Sequence, residues 1–271
     1  MDLEKIKQRD KWVCKRCGAR LNLDVYKFGA DYTENSYITL CPVCAHWMIC
    51  NKDDAVQLFK KMLIKNKIVL VGDVHGDFER LDKILTDELP FNFFICTGDV
   101  GTSLEDMGSA YNIDMFDRWG NKGYFVRGNH DVIECFIPLT LSQEINGLHV
   151  AGLNGMIKSR NFIKDTSRNI SFREIMYLSH LRGVDILVTH QSPTGMFDRI
   201  GEPVLEELLN YLVPRVYVFG HVHKFKLKFH LNTFVISLPL ATKGYAVACF
   251  QGKDLINLEI VFKKGKRFVR I

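Results

Sequence analysis

The 271-residue sequence predicts an α/β protein, a layered core of strands and helices preceded by a small cysteine-rich β module. Three observations predict it. From Ile68 onward, apolar runs of strand length alternate with stretches of helical spacing, the pattern of a sheet covered by helices. Five of those runs end abruptly on polar turns built from Gly, Asp, Asn and His, at the strand ends where open α/β sheets gather their binding groups. Ahead of the core, four of the eight cysteines fall into two Cys-x-x-Cys pairs, Cys14/Cys17 and Cys41/Cys44.

The composition, 47% hydrophobic and 25% charged, is that of an ordinary globular chain. No uninterrupted apolar stretch approaches the ~20 residues of a membrane span. The opening residues Met1-Asp2-Leu3-Glu4-Lys5 carry no apolar signal core, so a cytoplasmic location without membrane attachment is expected. The net charge of +5 is unevenly placed: residues 1–66 hold 12 basic and 8 acidic side chains (+4), residues 67–223 hold 14 and 21 (−7), and residues 224–271 hold 10 and 2 (+8). The middle is acidic, which suits a cation site, and both ends are basic, which suits an anionic partner.

Taken in order, residues 1–52 form the cysteine module. Each Cys-x-x-Cys closes a turn that points two thiolates at one ion, and Gly18 after the first pair permits left-handed backbone. The 23 residues between the pairs are enough for a β-hairpin, with Asp24 to Phe28 and Ser36 to Leu40 as its strands. The spacing resembles the zinc-ribbon family over roughly residues 10 to 50. Four thiolates leave no open position, so Cys14, Cys17, Cys41 and Cys44 are expected to hold one structural Zn on which folding of the module depends. His46 and Cys50 lie close by as packing residues. Lys11, Lys15, Arg16 and Arg20, interleaved with Trp12 and Tyr26, suit either contact with nucleic acid or a protein-docking role.

Residues 53–66 read as a linking helix, with Asp53 and Asp54 in its first turn and Val56, Leu58, Phe59, Met62 and Leu63 at helical spacing. Residues 67–271 are the main domain. Its expected strands are Ile68 to Val71, Phe91 to Cys96, Gly123 to Val126, Leu148 to Ala151, Val184 to Val188 and Val216 to Phe219. Its expected helices are Phe78 to Leu89, Met107 to Trp119, Ser171 to Leu181 and Pro203 to Leu212. After Lys224 the chain turns β-rich, with Phe234 to Leu238, Tyr245 to Phe250 and Leu255 to Phe262.

The polar strand ends are Gly72-Asp73-Val74-His75-Gly76, Gly98-Asp99-Val100-Gly101, Gly128-Asn129-His130-Asp131, Thr189-His190-Gln191-Ser192-Pro193 and Gly220-His221-Val222-His223. Carboxylate, amide and imidazole groups in such places are ligands for divalent metals. Asp77 is expected to cap the following helix.

The five segments, in this order, resemble the calcineurin-like metallophosphoesterase superfamily over about residues 67 to 250. The resemblance implies an α-β-β-α sandwich of two mixed sheets flanked by helices. It implies that Asp73, His75 and His223 bind one metal, that Asn129, His190 and His221 bind a second, and that Asp99 bridges them. It also implies that His130 protonates the leaving group and that Asp131 orients it. Two ions so placed clamp phosphoryl oxygens and lower the pKa of a water between them. Mn, Fe, Zn and Ni all suit the donor set, with Mn favoured.

The expected activity is therefore dinuclear metal-dependent hydrolysis of a phosphate ester. Protein Ser/Thr phosphatases of the superfamily carry a longer second block with an arginine and a Glu after Asn-His. Here Asp99 is followed by Val100-Gly101-Thr102 and the third block ends in Asp131, which resembles the smaller phosphodiesterases and nucleases. A nucleic acid or nucleotide is the expected substrate, favoured by the cysteine module and the basic run Lys263-Lys264-Gly265-Lys266-Arg267. The alternatives are a phosphomonoesterase acting on a small metabolite and a non-catalytic scaffold recruited through its zinc ribbon. Lys158, Arg160 and Arg199 are candidate phosphate contacts, and Gly152-Leu153-Asn154-Gly155 is expected to reach toward the metals.

Overall fold

The computed structural model describes residues 65–101, 110–132, 134–157, 170–197, 200–263 and 265–269, together with the backbone of four short N-terminal strands. The chain divides into two units, Met1–Leu63 and Ile64–Ile271. In the first, β1 (Lys11–Val13) pairs antiparallel with β2 (Arg20–Asn22), and β3 (Ser36–Leu40) pairs antiparallel with β4 (Trp47–Asn51). The expected strand Ser36 to Leu40 is present. The expected strand Asp24 to Phe28 and the expected zinc ligands Cys14, Cys17, Cys41 and Cys44 lie outside the described residues.

The second unit begins with β5 (Lys65–Val71), whose Ile-Val-Leu-Val core is fully buried, as a central strand covered on both faces requires. The last two residues of the expected linking helix, Lys65 and Asn66, are therefore strand, and residues 53–64 lie outside the described set. The correction has a local cause, because Asn66 is paired within β5 opposite Phe250 of the neighbouring strand and its amide donates to the Asn146 carbonyl at 3.1 Å.

One seven-stranded sheet continues from β5 through the parallel strands β6 (Phe93–Cys96), β7 (Gly123–Phe125) and β8 (Ile137–Pro138). On its other side it adds the antiparallel strands β15 (Gly244–Gln251), β16 (Asp254–Phe262) and β17 (Gly265–Val269). The expected basic run at 263–267 thus ends in a strand paired to β16.

The second sheet has six strands. β9 (Leu141–Ile145) is antiparallel to β10 (Leu148–Leu153), which is followed in parallel by β11 (Ile186–Thr189), β12 (Val216–Phe219) and β14 (Thr233–Ser237). β13 (Lys226–His230) pairs antiparallel with β14 and closes that edge. The β9–β10 hairpin turns on Asn146-Gly147, both with positive φ, the backbone that two-residue hairpins favour.

Alternation along the strands sorts the core into three layers. Ile68 and Leu70 of β5 join Ile186, Val188, Val216 and Val218 between the two sheets. Val69 and Val71 face the opposite way and meet Leu81, Ile84 and Leu85 of α1 (Phe78–Asp87) and Met115 and Trp119 of α2 (Ala110–Trp119). Leu187, Tyr217 and Phe219 face outward from the second sheet onto α3 (Phe172–Ser179) and α4 (Pro203–Leu212). This second unit is an α-β-β-α sandwich of two mixed sheets flanked by helices.

Three of the described α-helices carry their own start signals. Asp77 caps α1 by accepting the Arg80 N–H at 3.1 Å, as expected from the sequence. Ser171 and Glu174 form a reciprocal capping box at α3, and Pro203 opens α4. The expected helix from Met107 is described from Ala110 on. Among the described residues, no helix is long and apolar enough to cross a membrane.

Candidate metal centre

Register brings the polar segments together. In the first sheet Val71 is level with Cys96, and Cys96 with Phe125. In the second, Leu153 is level with Thr189, and Thr189 with Phe219. The residues that follow these strand ends therefore emerge along one edge of the sandwich. Loops from the first sheet carry Asp73, His75, Asp99, Asn129 and His130, and loops from the second carry His190, His221 and His223.

The two sheets are stitched there by hydrogen bonds. Nδ1 of His190 donates to the Thr97 carbonyl at 2.8 Å, and the Gly155 N–H donates to the Arg127 carbonyl at 2.7 Å. The Asn154 side chain accepts the Arg127 N–H at 2.8 Å and donates to the Leu139 carbonyl at 2.7 Å. The Gly152 to Gly155 segment, expected from the sequence to reach toward the metals, thus serves as a tie between the sheets. Arg127 itself pairs with Glu134 at 2.9 Å.

Two groups of donors face each other in the cleft. Nε2 of His223 is 2.7 Å from Oδ2 of Asp73 and 3.3 Å from Nε2 of His75. Nε2 of His190 is 3.0 Å from Oδ1 of Asn129 and 3.5 Å from Oδ2 of Asp99, and that same Asp99 oxygen is 4.0 Å from Nε2 of His75. One carboxylate oxygen thus lies between a histidine of each group. Asp73, His75 and His223 form one set with ligand-atom spacing for an ion, and Asp73, Asp99 and His190 form another. The His221 ring lies 5.0 Å from that of His190.

This donor chemistry fits divalent metal. With Nδ1–H of His190 committed to Thr97, its Nε2 faces two oxygens that are themselves acceptors, so the ring must either carry a second proton or share a cation with them. Two imidazole nitrogens facing each other beside a carboxylate pose the same problem at His75 and His223. A cation among these groups resolves both conflicts. The backbone is held in an unusual shape to achieve the convergence: His75, Asp99, His221 and His223 all have φ between 47° and 64°, left-handed values that cost strain in a non-glycine residue. Gly128 and Gly220 make room, since a methyl at either would overlap the carboxylate of Asp99 or Asp73 respectively.

The electrostatics follow from burial and pairing. Burial opposes ionisation of Asp99, but hydrogen bonding from His190 and the His130 N–H outweighs it and holds the carboxyl below its ordinary value. Burial also works against a charged His190, yet bonding to Asp99 and the charge of Asp73 raise it. Bonding to Asp73 raises His223, whereas burial and the neighbouring His190 lower His221. The His130 N–H donates to Oδ1 of Asp99 at 2.8 Å, and the exposed His130 ring stands 5.9 Å from that of His75.

Asp131 has a different place from the one expected. Its buried carboxylate accepts four backbone N–H groups: Asp99 at 2.8 Å, Val100 at 2.6 Å, Gly101 at 3.1 Å and Gly128 at 2.7 Å. Burial pushes this carboxyl up against the pull of those donors. Both oxygens act on the loops that present Asp99 and Asn129, and they hold no bond to the His130 ring. Asp131→Ala strands four donors, and we expect it to destabilise the fold by about 3–5 kcal/mol in chemical denaturation. A loss below ~1 kcal/mol would rule out the anchoring role.

Gln191 is a positioning residue that the sequence offered no signal for beyond its place after His190. Its Oε1 accepts the Ile157 N–H at 2.5 Å, tying the His190 loop to the end of the β10 segment. Lys158, Arg160 and Arg199 lie outside the described residues.

Residues 66–225, more than half of the chain, match the family described as Calcineurin-like phosphoesterase. Among curated proteins the chain is similar to a lariat debranching enzyme of Entamoeba histolytica, 22% identical over 224 residues that cover 58% of this chain and 63% of that one. It is also similar to a lariat debranching enzyme of Drosophila pseudoobscura pseudoobscura, 23% identical over 227 residues covering 58% of this chain and 42% of that one. The chain thus spans less than two thirds of the length of either relative. Among solved structures, TT1561 of Thermus thermophilus shares the fold, with a TM-score of 0.57 and 14% identity over 73% of this chain and 99% of that one. The family match, together with two sheets that converge their strand ends on carboxylate, amide and imidazole groups, places this chain in the calcineurin-like phosphoesterase family.

Proposed function

We propose that the chain is a dinuclear phosphodiesterase acting on a nucleic acid or nucleotide. The observation that carries this reading is the pair of facing donor groups around Asp99, with the exposed His130 ring beside them. Asp73, His75 and His223 would hold one divalent ion, Asn129, His190 and His221 the second, and Asp99 would serve both, with Mn favoured. Ions in those places supply charge to phosphoryl oxygens. The chain's own residues do the rest. Asp99 Oδ1 fixes the His130 backbone, which sets the imidazole at the mouth of the cleft, where it can give its proton to a departing oxygen. Thr97 holds His190 in one tautomer, and Asp131 keeps the two loops at a fixed separation.

A diester is favoured over a monoester by Val100-Gly101 after Asp99, where an arginine is missing, and by two relatives named for debranching lariats. The N-terminal module, proposed to bind one structural Zn through Cys14, Cys17, Cys41 and Cys44, would add contacts to a polymeric substrate or to a partner protein. With added Mn, bis(p-nitrophenyl) phosphate should be hydrolysed at least ~10-fold faster than p-nitrophenyl phosphate. The reverse order would replace this reading with a monoesterase. Deletion of residues 1–52 should lower activity on nucleic acid while sparing the small ester, and equal loss on both would remove the module from substrate binding.

A further inference from the structure

The metal centre leaves unused the strand that departs from it. β13 starts three residues after His223 and runs along the open edge of the six-stranded sheet. Its side chains alternate. Leu227 and, just ahead of the strand, Phe225 pack against the core between the sheets, while Lys226 and Lys228 alternate with Leu227 and are exposed, as is Lys224 before the strand. Alternate residues on a strand recur at about 6.7 Å, which is the step from Lys226 to Lys228 along β13, and Lys224 lies in the segment that leads from His223 into the strand. Lys226 is anchored, donating to the Met196 carbonyl and lying 5.3 Å over the Phe197 ring. The ammonium groups of Lys224 and Lys228 hold no hydrogen bond or ion pair among the described residues. Glu206 lines a small hollow with Lys228, and one of its carboxylate oxygens accepts the Thr194 hydroxyl. From His221 to Asn232 the chain has no acidic residue at all.

We infer that this row is a track for a single-stranded polynucleotide, whose phosphates beyond the scissile bond are held in turn by Lys224, Lys226 and Lys228. The inference rests on the phosphodiesterase reading for its direction, since it places the cleaved bond at the His223 end. Lysines on an edge strand also discourage pairing with other chains. Glutamate would do that equally well, so reversing the charge separates the two roles.

The experiment uses the full chain without added divalent metal and reads the fluorescence anisotropy of a labelled twelve-nucleotide single strand across a salt series. K224E/K228E should weaken binding at least ~10-fold at low salt and lower the slope of log affinity against log salt by about 1.4, two phosphates at ~0.7 each. Hydrolysis of bis(p-nitrophenyl) phosphate, measured in parallel with Mn, should stay unchanged. The control K83E/R173E reverses two exposed charges on α1 and α3 and should have little effect. Unchanged affinity and slope in K224E/K228E, an equal loss in the control, or no binding by the unaltered protein would each overturn the track. Loss of binding in K224E/K228E in a protein that hydrolyses no phosphodiester would support the track and overturn the phosphodiesterase reading instead.

Discussion

Replacement of Asp99 by asparagine is expected to lower phosphodiester hydrolysis at least ~10³-fold and to strip divalent metal from the cleft, the equivalent of several kcal/mol of lost charge stabilisation. The amide keeps the volume of the carboxylate and can still accept the His130 N–H, so the fold should survive. What disappears is the charge at Oδ2, which stands 3.5 Å from His190 and 4.0 Å from His75, between the two donor groups. Metal analysis on the purified proteins checks this directly. The unaltered chain should carry one tightly held Zn and two exchangeable ions per molecule, and Asp99→Asn should keep only the first. A variant with its full metal complement and ordinary turnover would remove Asp99 from the centre of the site.

His130→Ala should behave in the opposite way, losing about 10²–10⁴ in turnover while metal content stays nearly constant. The ring of His130 is exposed and close to the site, but only its backbone is bonded to a proposed ligand. Its contribution should grow with the basicity of the departing oxygen. The loss should therefore be larger on a dinucleotide, which releases an alkoxide, than on a p-nitrophenyl ester, whose leaving group needs little protonation. Loss of both metals in His130→Ala would mean that the residue is a ligand and that the proton comes from elsewhere.

Much of this could be read from the chain before any coordinates. Fully apolar runs such as Ile68 to Val71 and Val216 to Phe219 have few alternatives to buried parallel strands, and both are strands in the structure. Pro203 and the Ser171/Glu174 pair mark helix starts by local chemistry alone. Strands whose apolar content is diluted were less legible. β9 carries Ser-Gln-Glu in its middle, and β13 alternates lysine with Leu and Phe, so neither stands out from its loop by hydropathy. The Asn146-Gly147 pair was a usable hairpin signal for β9.

The sequence by itself determined the strand and helix order, the polar residues that end each strand and the glycines that precede them, because burial periodicity and turn chemistry act over a few residues. Only the tertiary structure decided how those ends meet. Asp131 appears in the sequence as a neighbour of His130 and turns out to collect backbone donors from two loops about thirty positions apart. Asn154 and Gln191 tie segments that are distant in the chain. Such contacts depend on which sheets stack and in what register, and that is set by the packing of the three apolar layers as a whole, a collective property that no local pattern contains.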